Sequence, residues 1–184
     1  TISGNNAWRP FRIGEPYTIP GPGPATITVV LDGLTMTKGV AGAWPSFSGL
    51  NGDGGGLISV NANLTIRNSN ISNNFASQGG GGISSVISNT TITNTVISGN
   101  RGQWGGGISH VDNRSLSVVD STISDNRGGT GGAIYSNFFT RNYIINSTIA
   151  RNQANFASAA YIFQFSTTEI VQSTIEGNYG DGTL

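Results

Sequence analysis

Apolar positions recur along the chain every 26 residues, an interval much longer than the period of a helix or a strand. One row of apolar residues is formed by Ile71, Ile97, Ile123, Ile149 and Ile175. Five residues earlier, a second row is formed by Ile66, Ile92, Val118, Ile144 and Ile170. Three residues after the first row, a polar row is formed by Asn74, Asn100, Asn126, Asn152 and Asn178. Three rows with one period indicate internal repeats, and a period of about 20 to 50 residues is typical of solenoids.

Residue types within each repeat favour short strands over helices. The repeats are rich in Gly, Asn, Ser and Thr, which are poor residues for helix interiors. Apolar and polar residues alternate in short stretches, as around Ile66 and Ile123, and this alternation is typical of strands. We therefore expect three short strands per coil, stacked on the next coil at about 4.8 Å. Because parallel crossovers are right-handed, the sequence predicts an all-β, right-handed parallel β-helix of about six to seven coils.

A glycine-rich run that ends in an apolar residue follows each asparagine. The apolar residues that would form a third core wall are Leu57, Ile83, Ile108, Ile134 and, in a degenerate repeat, Tyr161. Upstream, Ile2 and Met36 continue the isoleucine row if loop insertions lie near residues 7–24 and 42–53. Residues 1–184 are therefore predicted to form one β-helix domain. Its ends fall inside repeats, which suggests a piece of a longer protein or ends that meet other protein.

The asparagine row is interpreted as a structural ladder. Asparagine tolerates left-handed turn geometry, and its amide can bond to the amides of the coils above and below. A row of ligand-binding amides is the alternative, although such ladders usually lie inside the turn.

The balance of charged residues excludes several classes of function. Only 10% of residues are charged and the net charge is zero, so the basic stripe of a nucleic-acid binder is missing. No apolar run is long enough to span a membrane. The chain has no cysteine, and His110 is its single histidine, which excludes thiolate metal sites and sites that need two histidines. We expect no metal and no cofactor, and we expect His110 to lie at the surface beside a turn.

Acidic residues are too dispersed in the sequence to predict catalysis. Glycoside hydrolysis, which some β-helices perform, needs two carboxylates facing one cleft. Asp120 and Asp125 flank the inward position Ile123, but neither recurs at the same position of an adjacent coil. We interpret the acids as scattered surface charges and expect a protein that is not an enzyme.

Aromatic residues provide the strongest indication of a binding surface. The candidates for partner or ligand binding fall three to five residues after the asparagine position or its equivalent, and they are Trp8, Trp44, Trp104 and Phe156. They are expected at one corner of successive coils, where Arg101 and Arg127 share an equivalent position. Exposed aromatic rows are typical of contacts with sugars or protein partners. The alternative is that these side chains fold back over the flank of the solenoid.

Threonines on one row raise the alternative of ice binding. Thr122, Thr148 and Thr174 share a position, but the same row continues as Val96 and Asn70. A flat and uniform threonine face is therefore not maintained, which makes ice binding the weakest alternative.

The repeat motifs also resemble those of known bacterial surface proteins. Ile-x-x-Asn at 97–100 and 123–126, together with the glycine-rich motifs at 105–108 and 131–134, resembles repeats of the chlamydial polymorphic outer-membrane proteins, with Ile where Phe is usual. The motifs are equally similar to Ser-Thr-Ile-Ser-Gly-Asn repeats of bacterial β-helix exoproteins. The resemblance implies an extracellular or cell-surface location and a structural or adhesive role.

Taken with the residues, this resemblance predicts a non-catalytic solenoid that contacts its own copies, end to end, or other surface proteins. Open coil ends favour such stacking because they carry unpaired backbone groups. A β-helix that binds or degrades polysaccharide at the aromatic corner is the alternative function.

Overall fold

Four parallel sheets make up the described part of the chain. The computed structural model describes residues 1–14, 27–42 and 53–180, and these contain 25 short strands and no helix. Every strand pairs in parallel with the equivalent strand of a neighbouring coil, so that the chain winds through the four sheets in turn. They are named A to D below, and the chain passes through them in the order C, A, D and B. The predicted all-β parallel β-helix is confirmed.

The strands are short and similar in length within each sheet. Sheet A contains Ile2–Ser3, Thr35–Thr37, Asn70–Ser72, Val96–Ser98, Thr122–Ser124, Thr148–Ala150 and Thr174–Glu176. Sheet B contains Phe11–Ile13, Leu57–Val60, Ile83–Val86, Ile108–Val111, Ile134–Asn137 and Ala160–Ile162. Sheet C contains Ile27–Asp32, Ala62–Arg67, Asn89–Thr93, Ser115–Val119, Arg141–Ile145 and Thr167–Val171. Sheet D contains Val40–Ala41, Phe75–Ala76, Arg101–Trp104, Arg127–Thr130, Gln153–Phe156 and Tyr179–Gly180.

Sheet D makes the expectation of three strands per coil wrong, because the coils between Ile27 and Ile162 have four strands each. Three of its described strands contain glycine, a residue that in a sequence often indicates a turn. Gly102 lies within a strand, and a Cβ there would stand only 2.2 Å from the carbonyl oxygen of Gly79. The glycine therefore permits a close approach of neighbouring coils rather than a reversal of the chain.

The regular part of the solenoid has about five coils. Five successive strands of sheet A, from Asn70–Ser72 to Thr174–Glu176, are each 26 residues apart. The two earlier strands of this sheet are more widely spaced in sequence, as expected from the insertions. The six to seven coils predicted from the sequence slightly exceed the number of coils with the regular 26-residue spacing.

The aliphatic rows point into the solenoid and form its core. Ile66, Ile92, Ile71, Ile97 and their equivalents on the next two coils are almost completely buried. Each such burial contributes about 1.5–3 kcal/mol relative to exposure. Leu57, Ile83, Ile108 and Ile134 form the third wall as predicted, but Ala160 rather than Tyr161 continues it.

Asparagine side chains form a continuous hydrogen-bonded row between sheets A and D. The Oδ1 atom of Asn126 accepts hydrogen bonds from the backbone N–H and the side-chain amide of Asn100, at 2.9 and 3.0 Å. The same two bonds join Asn74 to Asn100, Asn126 to Asn152 and Asn152 to Asn178. Each amide also donates to a carbonyl of the preceding coil, such as Ile97 O for Asn126.

The left-handed residue of this turn is not the ladder asparagine but the residue before it. Positive φ angles occur at Asn73, Gly99, Asp125, Arg151 and Gly177. The ladder asparagines are therefore required for their amides and not for left-handed geometry, which corrects the reason inferred from the sequence.

A second ladder, of hydroxyl groups, connects sheets C and A. The backbone N–H of Thr95 donates to Ser121 Oγ at 3.1 Å, and that of Ser121 donates to Ser147 Oγ at the same distance. The row continues through Ser69 and Ser173. It has the 26-residue period of the asparagines, but it was not predicted from the sequence.

Candidate functional site

The outer face of sheet B changes character towards its C-terminal strands. One outward row runs in register through Ser84, Ser109, Tyr135 and Tyr161, so that small polar side chains give way to tyrosines. The larger rings form the floor of a depression of about 370 Å³. We call it the aromatic groove, and it is lined by Trp104, Thr130, Tyr135, Asn137, Phe156, Tyr161 and Phe163.

The rings of the aromatic groove contact one another and are therefore held in place. Tyr135 and Tyr161 are stacked, with centroids 5.7 Å apart and planes 3° from parallel. Trp104 packs against Tyr135 at 5.4 Å with a tilt of 50°, and Phe163 packs against Tyr161 at 5.8 Å. The Asn137 amide donates to the Tyr135 hydroxyl at 2.9 Å. The Tyr135 hydroxyl is protonated at neutral pH and can act as a donor, and burial raises its pKa further.

A more polar depression continues the aromatic groove along the solenoid axis. It has a volume of about 280 Å³ and shares Trp104 and Tyr135 with the aromatic groove. Asp53 and Asp112 contribute carboxylates, and Gln78 contributes an amide. We call it the acidic groove. Because two rings belong to both depressions, the outer face of sheet B presents one extended surface.

Burial affects both carboxylates of the acidic groove. It raises the pKa of Asp53, although the backbone N–H of Gly79 and the charge of Arg9 partly oppose the change. Burial also raises the pKa of Asp112. The interpretation of the acids as scattered surface charges is therefore wrong for these two residues, which are distant in sequence and line one groove.

Other acids fit the interpretation as surface charges with structural partners. Arg151 forms an exposed ion pair with Asp125 at 2.9 Å, and its hydrogen bond lowers the pKa of Asp125. Asp120 accepts a hydrogen bond from the Asn146 amide at 2.6 Å, as part of an exposed amide row.

The structure brings together two of the four aromatic candidates. Trp104 and Phe156 lie at equivalent positions of sheet D, separated by Thr130 on the intervening strand. Both are exposed, at 41% and 67%, and both line the aromatic groove. Trp8 is exposed on the first coil and does not line this groove. Trp44 lies outside the described residues.

Sequence reasoning missed the tyrosines and Phe163. Tyr135 directly follows the core residue Ile134, and the alternation of strands places such a residue on the outer face. Tyr161 shows the same relation to Ala160, so the signal was available in the sequence. The outward position of the two tyrosines was not recognised because Tyr161 was assigned to the inward row.

Arg101 and Arg127 lie side by side on neighbouring strands of sheet D, as their equivalent positions imply. They line a cleft of about 260 Å³ on the outer face of this sheet. The guanidinium of Arg101 also lies over the ring of Phe75, 5.9 Å from its centroid.

His110 is buried inside the solenoid, which contradicts the expected surface position. Its Nδ1 is 3.1 Å from Ser85 Oγ, and its Nε2 is 3.1 Å from the carbonyl oxygen of Arg114. Burial lowers the pKa of His110 to about 4, so the ring is neutral at pH 7. It points inward because it occupies the position of Ser85 and Ser136, which are buried on the two neighbouring strands.

Metal-binding clusters and membrane-spanning helices are absent from the described part of the chain. Within residues 1–14, 27–42 and 53–180, no three His, Cys, Asp or Glu side chains converge to hold a metal ion. In the same ranges, no helix is long and apolar enough to cross a membrane.

Comparison with known proteins identifies the coils. A family model described as a right-handed beta helix region matches residues 46–184, which confirms the predicted handedness. The match concerns β-helix coils in general and gives no support to a specific similarity to the chlamydial repeats. No curated protein and no solved structure matches the chain.

Proposed function

Because the chain belongs to the right-handed β-helix family, we propose that it is a rigid adhesive scaffold that binds a polysaccharide through the outer face of sheet B. The observation that carries this proposal is the continuity of the aromatic and acidic grooves through Trp104 and Tyr135. The fold by itself does not select a function, because function belongs to sites placed on folds.

The chemistry of the two grooves suits a sugar chain. Sugar rings have apolar faces that pack on aromatic rings and hydroxyl groups that need hydrogen-bond partners. The aromatic groove offers Trp104, Tyr161 and Phe163, while Asp112 and Gln78 in the acidic groove can accept or donate hydrogen bonds. From Ser84 to Tyr161 the surface crosses four strands, which is roughly 14 Å at the usual strand spacing. This length accommodates several sugar units.

Location and lack of catalysis are also part of the proposal. An extracellular or cell-surface position is supported by the resemblance of the Ile-x-x-Asn and glycine-rich motifs to bacterial surface repeats. The aromatic lining supports contact with a sugar chain, and the lack of cleavage remains a prediction. End-to-end self-association and contact with other surface proteins remain predictions.

A binding titration of the 184-residue chain against a panel of neutral and acidic polysaccharides tests the proposal. Replacing Trp104 or Tyr135 with alanine is expected to weaken binding about tenfold, equivalent to about 1.4 kcal/mol. Trp8→Ala is the matched control, since Trp8 is exposed but does not line the aromatic groove. Equal effects of Trp8→Ala and Trp104→Ala, or binding to no member of the panel, would contradict the proposal.

Cleavage of the polysaccharide is a second candidate, favoured by the placement of Asp53 and Asp112. A glycosidase needs one protonated carboxyl group as general acid and one carboxylate as base or nucleophile. Burial raises the pKa of both groups, which favours a protonated form closer to neutral pH. The neighbouring rings of Trp104 and Tyr135 would position a sugar beside them.

An assay for new reducing ends separates binding from cleavage. The binding proposal predicts that incubation of the polysaccharide with the protein produces no new reducing ends above background. Release that disappears in both Asp53→Asn and Asp112→Asn would establish the enzyme instead. Asp120→Asn is the control, since Asp120 belongs to the exposed amide row.

A further inference from the structure

The cleft on the outer face of sheet D is lined by hydrogen-bond donors. We call it the sheet D cleft, and its polar side chains belong to Ser77, Arg101, Gln103, Arg127 and Asn155. Arginine, amide and hydroxyl groups all donate hydrogen bonds. No acidic residue lines the cleft in the described part of the chain.

The two arginines of the cleft are adjacent like charges. Arg101 and Arg127 occupy directly paired positions on neighbouring strands, an arrangement that is unfavourable without a counter-charge. Among the described residues neither arginine of the cleft forms an ion pair, whereas Arg67 pairs with Asp32 and Arg151 pairs with Asp125. An anion bound between them would offset this repulsion.

A glycine opens the centre of the cleft. Gly129 lies between Gln103 and Asn155 in the row along sheet D, and these two residues have amide side chains. The φ angle of Gly129 is not positive, so its backbone conformation does not require glycine. A Cβ at this position would stand 2.6 Å from the Gln103 amide nitrogen. The nearest atoms all belong to the flexible end of the Gln103 side chain, which lies over Gly129, so the open space at Gly129 is bordered by a donor group.

Ser77 adds an unmatched polar group to the cleft. Its hydroxyl oxygen is shielded from solvent and has no hydrogen-bond partner within the described residues. A buried hydroxyl without a partner is costly. A ligand would reach this hydroxyl only after rotation of the Ser77 side chain towards the cleft, whose lining includes this residue.

We propose that the sheet D cleft binds the carboxylate or sulfate groups of an acidic polysaccharide. This inference rests on the proposed function and specifies the class of polysaccharide. Guanidinium groups bind such oxyanions through paired, charge-assisted hydrogen bonds. Gln103 and Asn155 immediately precede Trp104 and Phe156 of the aromatic groove, so one chain can contact both surfaces around this corner.

Three polymers with one backbone test the inference: dextran, carboxymethyl-dextran and dextran sulfate. In titrations of the 184-residue chain at low salt, at least one acidic polymer is expected to bind about tenfold more tightly than dextran. The Arg101→Gln/Arg127→Gln variant is expected to lose this preference. Preference for carboxymethyl-dextran or for dextran sulfate distinguishes the two sources of the oxyanion.

Two further variants separate a built site from general attraction between charges. Gly129→Asn fills the cleft without changing the charge and is expected to reduce acidic binding about tenfold. Arg141→Gln removes one exposed charge from sheet C and is compared with Arg127→Gln alone, so that both variants lose one charge. Arg141→Gln is expected to leave binding unchanged.

The outcomes of these titrations distinguish this inference from the proposed function. The inference is overturned if all three polymers bind equally, if none binds, or if Arg127→Gln and Arg141→Gln have equal effects. It stands if binding of an acidic polymer depends on Arg127 and Gly129. If that binding is unaffected by Trp104→Ala and Tyr135→Ala, the proposed aromatic groove fails while the anion site remains.

Discussion

At the scale of single residues, buried polar side chains determine how one coil is attached to the next. The side chain of Asn126 takes part in four hydrogen bonds, which link the turn to both neighbouring coils. This row could be predicted from the sequence because asparagine occupies the same position in five successive repeats. The hydroxyl ladder was not predicted, because its position holds either serine or threonine, as at Ser121 and Thr95, and both residue types are abundant throughout the chain.

Asn126→Ala is expected to destabilise the protein by about 3 kcal/mol, because it leaves the buried N–H of Asn100 without its acceptor and removes the amide bonds to Ile97 O and Asn152. Chemical denaturation with urea measures the effect. Asn94→Ala is the matched control, because Asn94 is exposed and its amide makes one outward bond, to Asn68. We expect a loss of about 1 kcal/mol in the control, mainly from its left-handed backbone. Equal losses would contradict the ladder's structural role.

His110 predicts a specific loss of stability in acid. Its pKa is lowered from 6.5 to about 4 in the folded protein, so the unfolded chain binds the proton more readily. Stability from this group is therefore complete above about pH 6.5 and falls as the pH falls towards 4, by up to about 3 kcal/mol.

Comparison with His110→Asn isolates this contribution, because the exposed carboxylates titrate in both proteins. We expect the wild type to lose more stability than the variant between pH 6.5 and 4, measured as unfolding free energy at a series of pH values. Parallel pH profiles would show that the ring is not buried as a neutral group.

At the scale of the element, glycines determine where sheet D ends and sheet B begins. Gly105 and Gly131 have positive φ angles directly after strands of sheet D and three residues before the next strands of sheet B. The sequence predicted turns at these runs and the core residues that follow them. It did not predict sheet D, because a glycine within a strand, such as Gly102, cannot be distinguished from a turn glycine without knowing how close the next coil lies.

Gly131→Ala is expected to destabilise the fold more than Gly33→Ala. Both glycines have positive φ angles, so both variants lose about 1–2 kcal/mol from the left-handed conformation. At Gly131 the new Cβ would also stand 2.3 Å from the carbonyl oxygen of Ile134, whereas at Gly33 it meets no atom within 4 Å. Thermal unfolding of both variants measures the difference. A larger loss for Gly33→Ala would contradict the close packing of this corner.

At the scale of the whole molecule, the solenoid presents different chemistry on different faces. The inward rows and their period are sufficient to predict the fold class from the sequence, since each buried position recurs on every coil. The binding surface could be predicted only in part, because it arises where outward residues depart from the repeat. Tyr135 stands where the preceding coil has Ser109, and Asp112 and Trp104 line the same groove. Such departures have no period, so their convergence is visible only in the folded chain.

The most direct test of the account is a crystal structure of the chain with an oligosaccharide prepared from the polysaccharide that it binds most tightly. We predict ordered sugar rings in contact with Trp104, Tyr135 and Tyr161, along the outer face of sheet B. Sugar bound elsewhere on the solenoid, with the aromatic groove empty, would contradict the central claim.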